Sequence, residues 1–146
     1  MDIVMQVGHM NASFGDDWLK PMTGAPEEEV KNQAITFRCA EILRLRKINV
    51  VVTDANGYKD SVIINRDWDL FLAVHCDADS ASNGGFTDYP EPQYDGATQK
   101  SQAMADKIAF KFYPESGITY RPERRGNKNV RYYYFWQYLS TMTPCV

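Results

Sequence analysis

An apolar strand, a long helix and a second apolar strand follow one another within the first 54 residues, and this order restricts the possible folds more than any other feature. The opening run "DIVMQV" at 2–7 reads as a strand. From 27 to 47, "EEEVKNQAITFRCAEILRLRK" places acid in its first turn and Arg and Lys in its last, the arrangement that complements a helix dipole. The β-branched run "INVVVTD" at 48–54 is a buried strand. A strand, a helix and a strand in that order imply a right-handed crossover and a parallel pair, hence an α/β domain. The helix is expected to lie on the sheet with a stripe made of Val30, Ala34, Ile35, Phe37, Cys39, Ile42 and Leu45.

Further along, "DLFLAVHCDAD" at 69–79 is a third strong strand, apolar from Leu70 to Val74. Residues 10–26, with Gly15, Pro21, Gly24 and Pro26, read as a loop, "ANGYKD" as a turn region and "FTDY" as a short strand. A second helix is expected over 97–113, with Ala97, Ser101, Met104, Ala105, Ile108 and Phe112 on one face. The aromatic run "YYYFWQYLSTMT" fits either a strand or a short helix, and the closing "PCV" reads as the start of a strand.

Composition narrows the function. A chain of 146 residues with 44% apolar content forms one globular domain. A net charge of −3 and a pI near 5.3 argue against a dedicated nucleic-acid binder, and the basic cluster "RPERRGNKNVR" at 121–131 is local. Cys39, Cys76 and Cys145 lack the close pairs of a zinc ribbon or redox motif, so no disulfide framework is expected. The N-terminus starts directly on a strand without the features of a secretory signal, and no apolar run has the length of a membrane span. Synthesis in the cytoplasm is therefore expected.

The sequence holds two histidines, His9 and His75, and each directly follows an apolar strand. If the first and third strands are parallel neighbours, both imidazoles emerge at the same edge of the sheet, close enough to share a metal ion. A carboxylate from the first turn of the intervening helix, one of Glu27, Glu28 and Glu29, reaches the same point. The result is a His, Glu, His set with an open fourth position, as in hydrolytic zinc centres. The competing reading makes the histidines hydrogen-bonded strand-end residues and the glutamates a solvated helical turn. Strand alternation favours core packing for Cys76 over a ligand role. No H-E-x-x-H helix is present.

These residues resemble the zinc-dependent N-acetylmuramoyl-L-alanine amidases of bacterial autolysins and phage endolysins, along nearly the whole chain. The strand ending in Gly-His is similar to "IVMQVGH", and the glutamate four residues before an Asn or Thr is similar to "EEVKNQAI". The family's Asp, apolar run, His, any residue, Asn resembles "DLFLAVHCD", with Asp77 in the Asn position. The order continues through "NGGFTDY", "SQAMADKIAFKF", "SGITYRP" and "TMTPCV".

The resemblance implies a single domain over 1–146 with a twisted, mostly parallel (mixed) sheet of about six strands flanked by helices. It implies that His9, Glu28 and His75 bind Zn2+ and that the substrate is the amide between N-acetylmuramic acid and L-alanine in peptidoglycan. Arg125 or Lys128 is a candidate cation for the developing oxyanion. Tyr132, Tyr133, Tyr134, Phe135, Trp136 and Tyr138 are candidates for stacking on sugar rings, although core packing suits most of them. The family's catalytic glutamate falls a few residues past Val146, so the expectation is an amidase-like domain shortened at its C-terminal strand and helix, or one that lacks this residue. The alternatives are a wall-binding or zinc-binding module without turnover, and another zinc hydrolase such as a carboxypeptidase-like enzyme. A monomer that acts on the bacterial wall is expected, made without a signal peptide in the manner of an endolysin.

Overall fold

Strand β1 (Asp2–Val7) is buried on both sides: Ile3, Met5 and Val7 are shielded from solvent, and so are Val4 and Gln6 between them. A strand with no solvent face belongs in the middle of a sheet. In the computed structural model, which describes residues 1–8, 10–11, 20–21, 28–54, 60–76, 84–89, 98–122 and 143–146, β1 is central. It is flanked by β4 (Asn49–Thr53) and β5 (Leu70–Val74) in the order β4-β1-β5, both parallel to it. The register sets Ile3 beside Val50 and Leu70, and Val7 beside Val74. The parallel pair expected on either side of the first helix is therefore present, and so is the adjacency of the first and third strands.

The expected sheet of about six strands is corrected to three among the described residues. Beyond β5 the chain's last residues continue the pattern. Phe71 N–H donates to Pro144 O at 2.8 Å, and Ala73 N–H to Val146 O at 2.9 Å. Val146 N–H donates back to Phe71 O at 2.9 Å, and Phe71 and Cys145 form a parallel bridge. This is the strand start read in "PCV". Among the described residues the main sheet is parallel, and antiparallel pairing occurs in a separate ribbon, β2 (Met10–Asn11) with β3 (Lys20–Pro21), inside the stretch expected as loop. At "FTDY" no strand forms: Gly85 bridges to Tyr120, but Asp88 Oδ1 accepts from the next residue's N–H at 2.9 Å, a local side-chain bond that competes with a ladder.

Helix α1 (Glu28–Leu45) starts one residue later and ends two earlier than the sequence suggests. Its end is a Schellman closure, with Ile48 N–H donating to Leu43 O and Lys47 N–H to Arg44 O while Lys47 takes φ 62°. The expected apolar stripe is overturned. Val30, Ala34, Ile35, Phe37, Ile42 and Leu45 are all exposed, Leu45 to 76%, and of the seven only Cys39 is half-buried. The buried row is Glu28, Asn32, Thr36 and Ala40, four residues apart, with Leu43 packed at its edge. Polar anchors at both ends set this rotation. Glu28 and Asn32 bond to the end of the sheet, and Arg44 donates to Val50 O at 2.7 Å and 3.2 Å.

The second long helix, α3 (Thr98–Ser116), buries Ser101, Ala105, Ala109 and Tyr113, with Met104 and Ile108 half-buried. Phe112, expected inward, is exposed and Tyr113 takes the buried place. Residues of α1 and α3 share one core with Ile3, Met5, Val50 and Leu70, and Ser101 Oγ accepts from Cys145 N–H at 2.9 Å. The opposite face of the sheet packs Val4, Phe71 and Cys145 against Ile63 and Trp68. Ile63 belongs to α2 (Ser61–Ile64), a short helix capped by Asp60 Oδ1 on Val62 N–H. Helices on both faces of a parallel sheet complete a three-layer α/β arrangement.

At the amino end of the sheet, Asp2 joins Asn49 and Arg66 by side-chain bonds. The Asn49 amide first, and then the Arg66 guanidinium, hold its carboxyl below the usual 3.8.

The inverted helix makes a sharp contrast testable by chemical denaturation. Phe37→Gln on the exposed face is expected to change stability by no more than about 0.5 kcal/mol. Phe71→Ala in the core is expected to cost about 3–5 kcal/mol. Comparable losses from the two would contradict this orientation of α1.

Candidate metal centre

The carboxyl end of the sheet is built around a glycine. β1 pairs with β5 one residue past its end, where Gly8 N–H donates to Val74 O at 2.9 Å. A side chain at Gly8 would collide with its neighbours, because a Cβ there would lie 2.5 Å from His75 Nδ1, 2.6 Å from His75 Cε1 and 2.5 Å from Val74 O. The imidazole of His75 thus occupies the space that any other residue at position 8 would fill. The glycine of "VGH" is a steric requirement of both the Val74 carbonyl and the histidine ring at the end of the neighbouring strand.

Glu28, the first residue of α1, arrives at the same place from above the sheet. Its side chain is 2% exposed, and its Oε1 stands 3.7 Å from His75 Nδ1. The same oxygen accepts from Cys76 N–H at 3.1 Å and from Asn32 Nδ2 at 3.4 Å. Burying a carboxylate is unfavourable unless donors and positive potential surround it. Here the donors include those two N–H groups, and the position in the first turn of α1 adds the positive end of the helix dipole. Asn32, fully buried, also donates to Gly8 O at 2.9 Å.

The residue pattern allows any of Glu27, Glu28 and Glu29, and the resemblance favours Glu28. The structure brings Glu28 beside His75; Glu29 is half-buried one position further along α1, and Glu27 lies outside the described residues. His9, Asp77, Arg125, Lys128 and the aromatic residues from Tyr132 to Tyr138 also lie outside them. Cys76 is half-buried, and its main-chain N–H donates to Glu28. Two contributors carry no functional signature in the sequence: Gly8, whose role depends on the approach of β5, and Asn32, which in the resemblance only locates the glutamate. The spacing of Glu28, Asn32 and Thr36 at four-residue intervals was the available signal, since it sets three polar side chains on one helix face.

Among the described residues no group of three or more His, Cys, Asp or Glu side chains is gathered closely enough to hold a metal ion. The donor chemistry of the pair nevertheless suits zinc. A separation of 3.7 Å exceeds a hydrogen bond and is within a few tenths of an ångström of the spacing, roughly 3.3 Å, between two ligand atoms of one tetrahedral zinc. A buried carboxylate and an imidazole at this distance can share a divalent cation.

The packing of His75 over Gly8 is open to a double-mutant cycle in urea. Gly8→Ala is expected to destabilise by roughly 1–3 kcal/mol through overpacking. Adding His75→Ala removes the ring contact and should recover part of that loss, giving a coupling of at least about 0.5 kcal/mol. Strict additivity would show that the ring does not occupy this space.

The family model for N-acetylmuramoyl-L-alanine amidase matches residues 3–146. Among curated protein sequences, none matches the chain. Among solved structures, the chain is similar to that of the CwlD amidase from Clostridioides difficile in complex with the GerS lipoprotein. The identity is 16% and the TM-score 0.49, over 99% of this chain and 78% of that one. With the family model spanning residues 3–146, nearly the whole sequence, this chain belongs to the N-acetylmuramoyl-L-alanine amidase family.

Proposed function

We propose that the chain hydrolyses the amide between N-acetylmuramic acid and L-alanine in peptidoglycan, using a zinc ion held by His9, Glu28 and His75. The convergence of the buried Glu28 carboxylate and the His75 imidazole at the carboxyl end of a parallel sheet carries this reading. That end of an open α/β sheet is where ligands bind. When bound, zinc polarises the amide carbonyl and lowers the pKa of a water molecule.

The protein's own groups divide the remaining work. Glu28 supplies the single negative charge of the ligand set, and His75 and His9 supply neutral imidazole donors. A divalent ion held by such a set would keep a net positive charge, suited to polarising a carbonyl oxygen. Gly8 keeps the main chain low beneath the imidazole so that the His75 ring can stand beside the carboxylate. Arg125 and Lys128 remain the proposed cations for the developing oxyanion, and peptidoglycan as substrate places the action at the bacterial wall.

Product analysis tests the assignment. Purified peptidoglycan treated with the chain should yield, by mass spectrometry, stem peptides with a free N-terminal L-alanine and glycan with an intact lactyl group. Chelation should stop the release and added zinc restore it. Glu28→Ala and His75→Ala should each lower it more than roughly 100-fold, beyond the 10- to 100-fold typical of residues that only support a ligand. Cleavage between residues of the stem peptide would point to a peptidase, and release indifferent to both substitutions would overturn the proposed centre.

A further inference from the structure

Asn32 is fully buried in the interior of α1, on the face turned to the sheet. Asparagine is a poor choice there on general grounds, since it is a weak helix former and burying its amide is unfavourable without partners. A leucine or alanine would serve packing better. Both groups that meet its amide nitrogen are acceptors: Gly8 O at 2.9 Å and Glu28 Oε1 at 3.4 Å. An amide nitrogen carries two hydrogens, one for each acceptor, so the orientation of the group is fixed by what it faces.

We infer that Asn32 is a positioning residue of the metal centre: its amide clamps the Glu28 carboxylate to the main chain of Gly8. The inference rests on the zinc reading above and adds to it the group that sets the ligand geometry. The carboxylate is held from two sides. Cys76 N–H fixes it to the end of β5, one residue after His75, and Asn32 ties it to the end of β1, one residue before His9. Asn32 and Glu28, one helical turn apart on α1, thereby link the ends of β1 and β5. Glutamate has three rotatable side-chain bonds, and holding it in place before the ion arrives reduces the entropy lost on binding. No smaller donor does the same, because a serine or threonine hydroxyl has only one hydrogen to offer two acceptors.

Zinc affinity, measured by competition with a chromophoric chelator on folded protein, separates this role from simple helix anchoring. Asn32→Leu removes both donors at similar volume, and Asn32→Asp keeps the shape but sets a second carboxylate beside Glu28. Each is expected to weaken zinc binding about 10- to 100-fold, the usual effect of removing a group that orients a ligand. Thr36→Val, at a fully buried position one turn further on, is expected to shift the melting temperature while leaving zinc affinity within about twofold.

A measurement on the unsubstituted chain covers the case in which the Asn32 variants do not fold. The side-chain amide protons of Asn32 should give two separate NMR signals, slow to exchange, that move when zinc is added. A zinc-binding chain whose affinity is indifferent to both substitutions, or whose Asn32 amide signals ignore zinc, would overturn the inference alone. A chain that takes up no zinc would overturn the metal reading and the inference with it.

Discussion

The carboxylate of Glu28, buried at the head of α1 and held by the main-chain N–H of Cys76, is the contact on which the arrangement of this domain turns. A buried anion at that point requires donors, and the sheet's carboxyl end supplies them where β5 finishes. To reach them, the first turn of α1 must face the sheet with its polar side. The next turn then presents Asn32 to Gly8, the one after presents Thr36, and only with Ala40 does the buried row become apolar. The apolar residues elsewhere on the helix are consequently turned outward. Burying Phe37 and Ile42 instead would rotate Glu28 and Asn32 away from the strand ends and leave those N–H and carbonyl groups without these partners.

Stability is supplied elsewhere, which is what permits a polar helix face at the site. β1 contributes apolar side chains to both cores, one shared with α1 and α3 and one with Ile63 and Trp68. Trp68 is fastened twice, by its ring N–H to Ile63 O at 2.9 Å and by its main-chain N–H to Thr143 Oγ1 at 3.0 Å. These bonds join α2, the approach to β5 and the chain's last residues on the face of the sheet opposite α1. Division of labour between a tightly packed sheet and a polar helix end is a recurrent way to hold charged groups in fixed positions, since packed strands move little.

The strands were legible because each has an apolar centre, Ile3–Met5, Val50–Val52 and Leu70–Val74, although only β1 is buried on both faces. The limits of α1 were legible to within two residues from its charges, and the convergence of a first-turn glutamate with His75 followed from the topology. The rotation of α1 was not legible. Its apolar residues are distributed around the helix, so periodicity alone favours no face, and the decision belongs to hydrogen bonds with strand ends far away in sequence. The role of Gly8 was hidden for a similar reason, because nothing in "VGH" reveals that the ring of His75 lies against it. The β2–β3 ribbon, two residues on each side, is too short for any alternation to show.

The position of the metal ion is the most direct test of the centre at Glu28 and His75. Anomalous diffraction at the zinc absorption edge, from crystals of the zinc-loaded protein, locates the ion without reference to activity. A single peak about 2.0–2.2 Å from a Glu28 carboxylate oxygen and from a ring nitrogen of His75, with His9 as third protein ligand, is the expected result. A zinc peak elsewhere in the molecule, with Glu28 and His75 facing each other and no ion bonded to either, would contradict it.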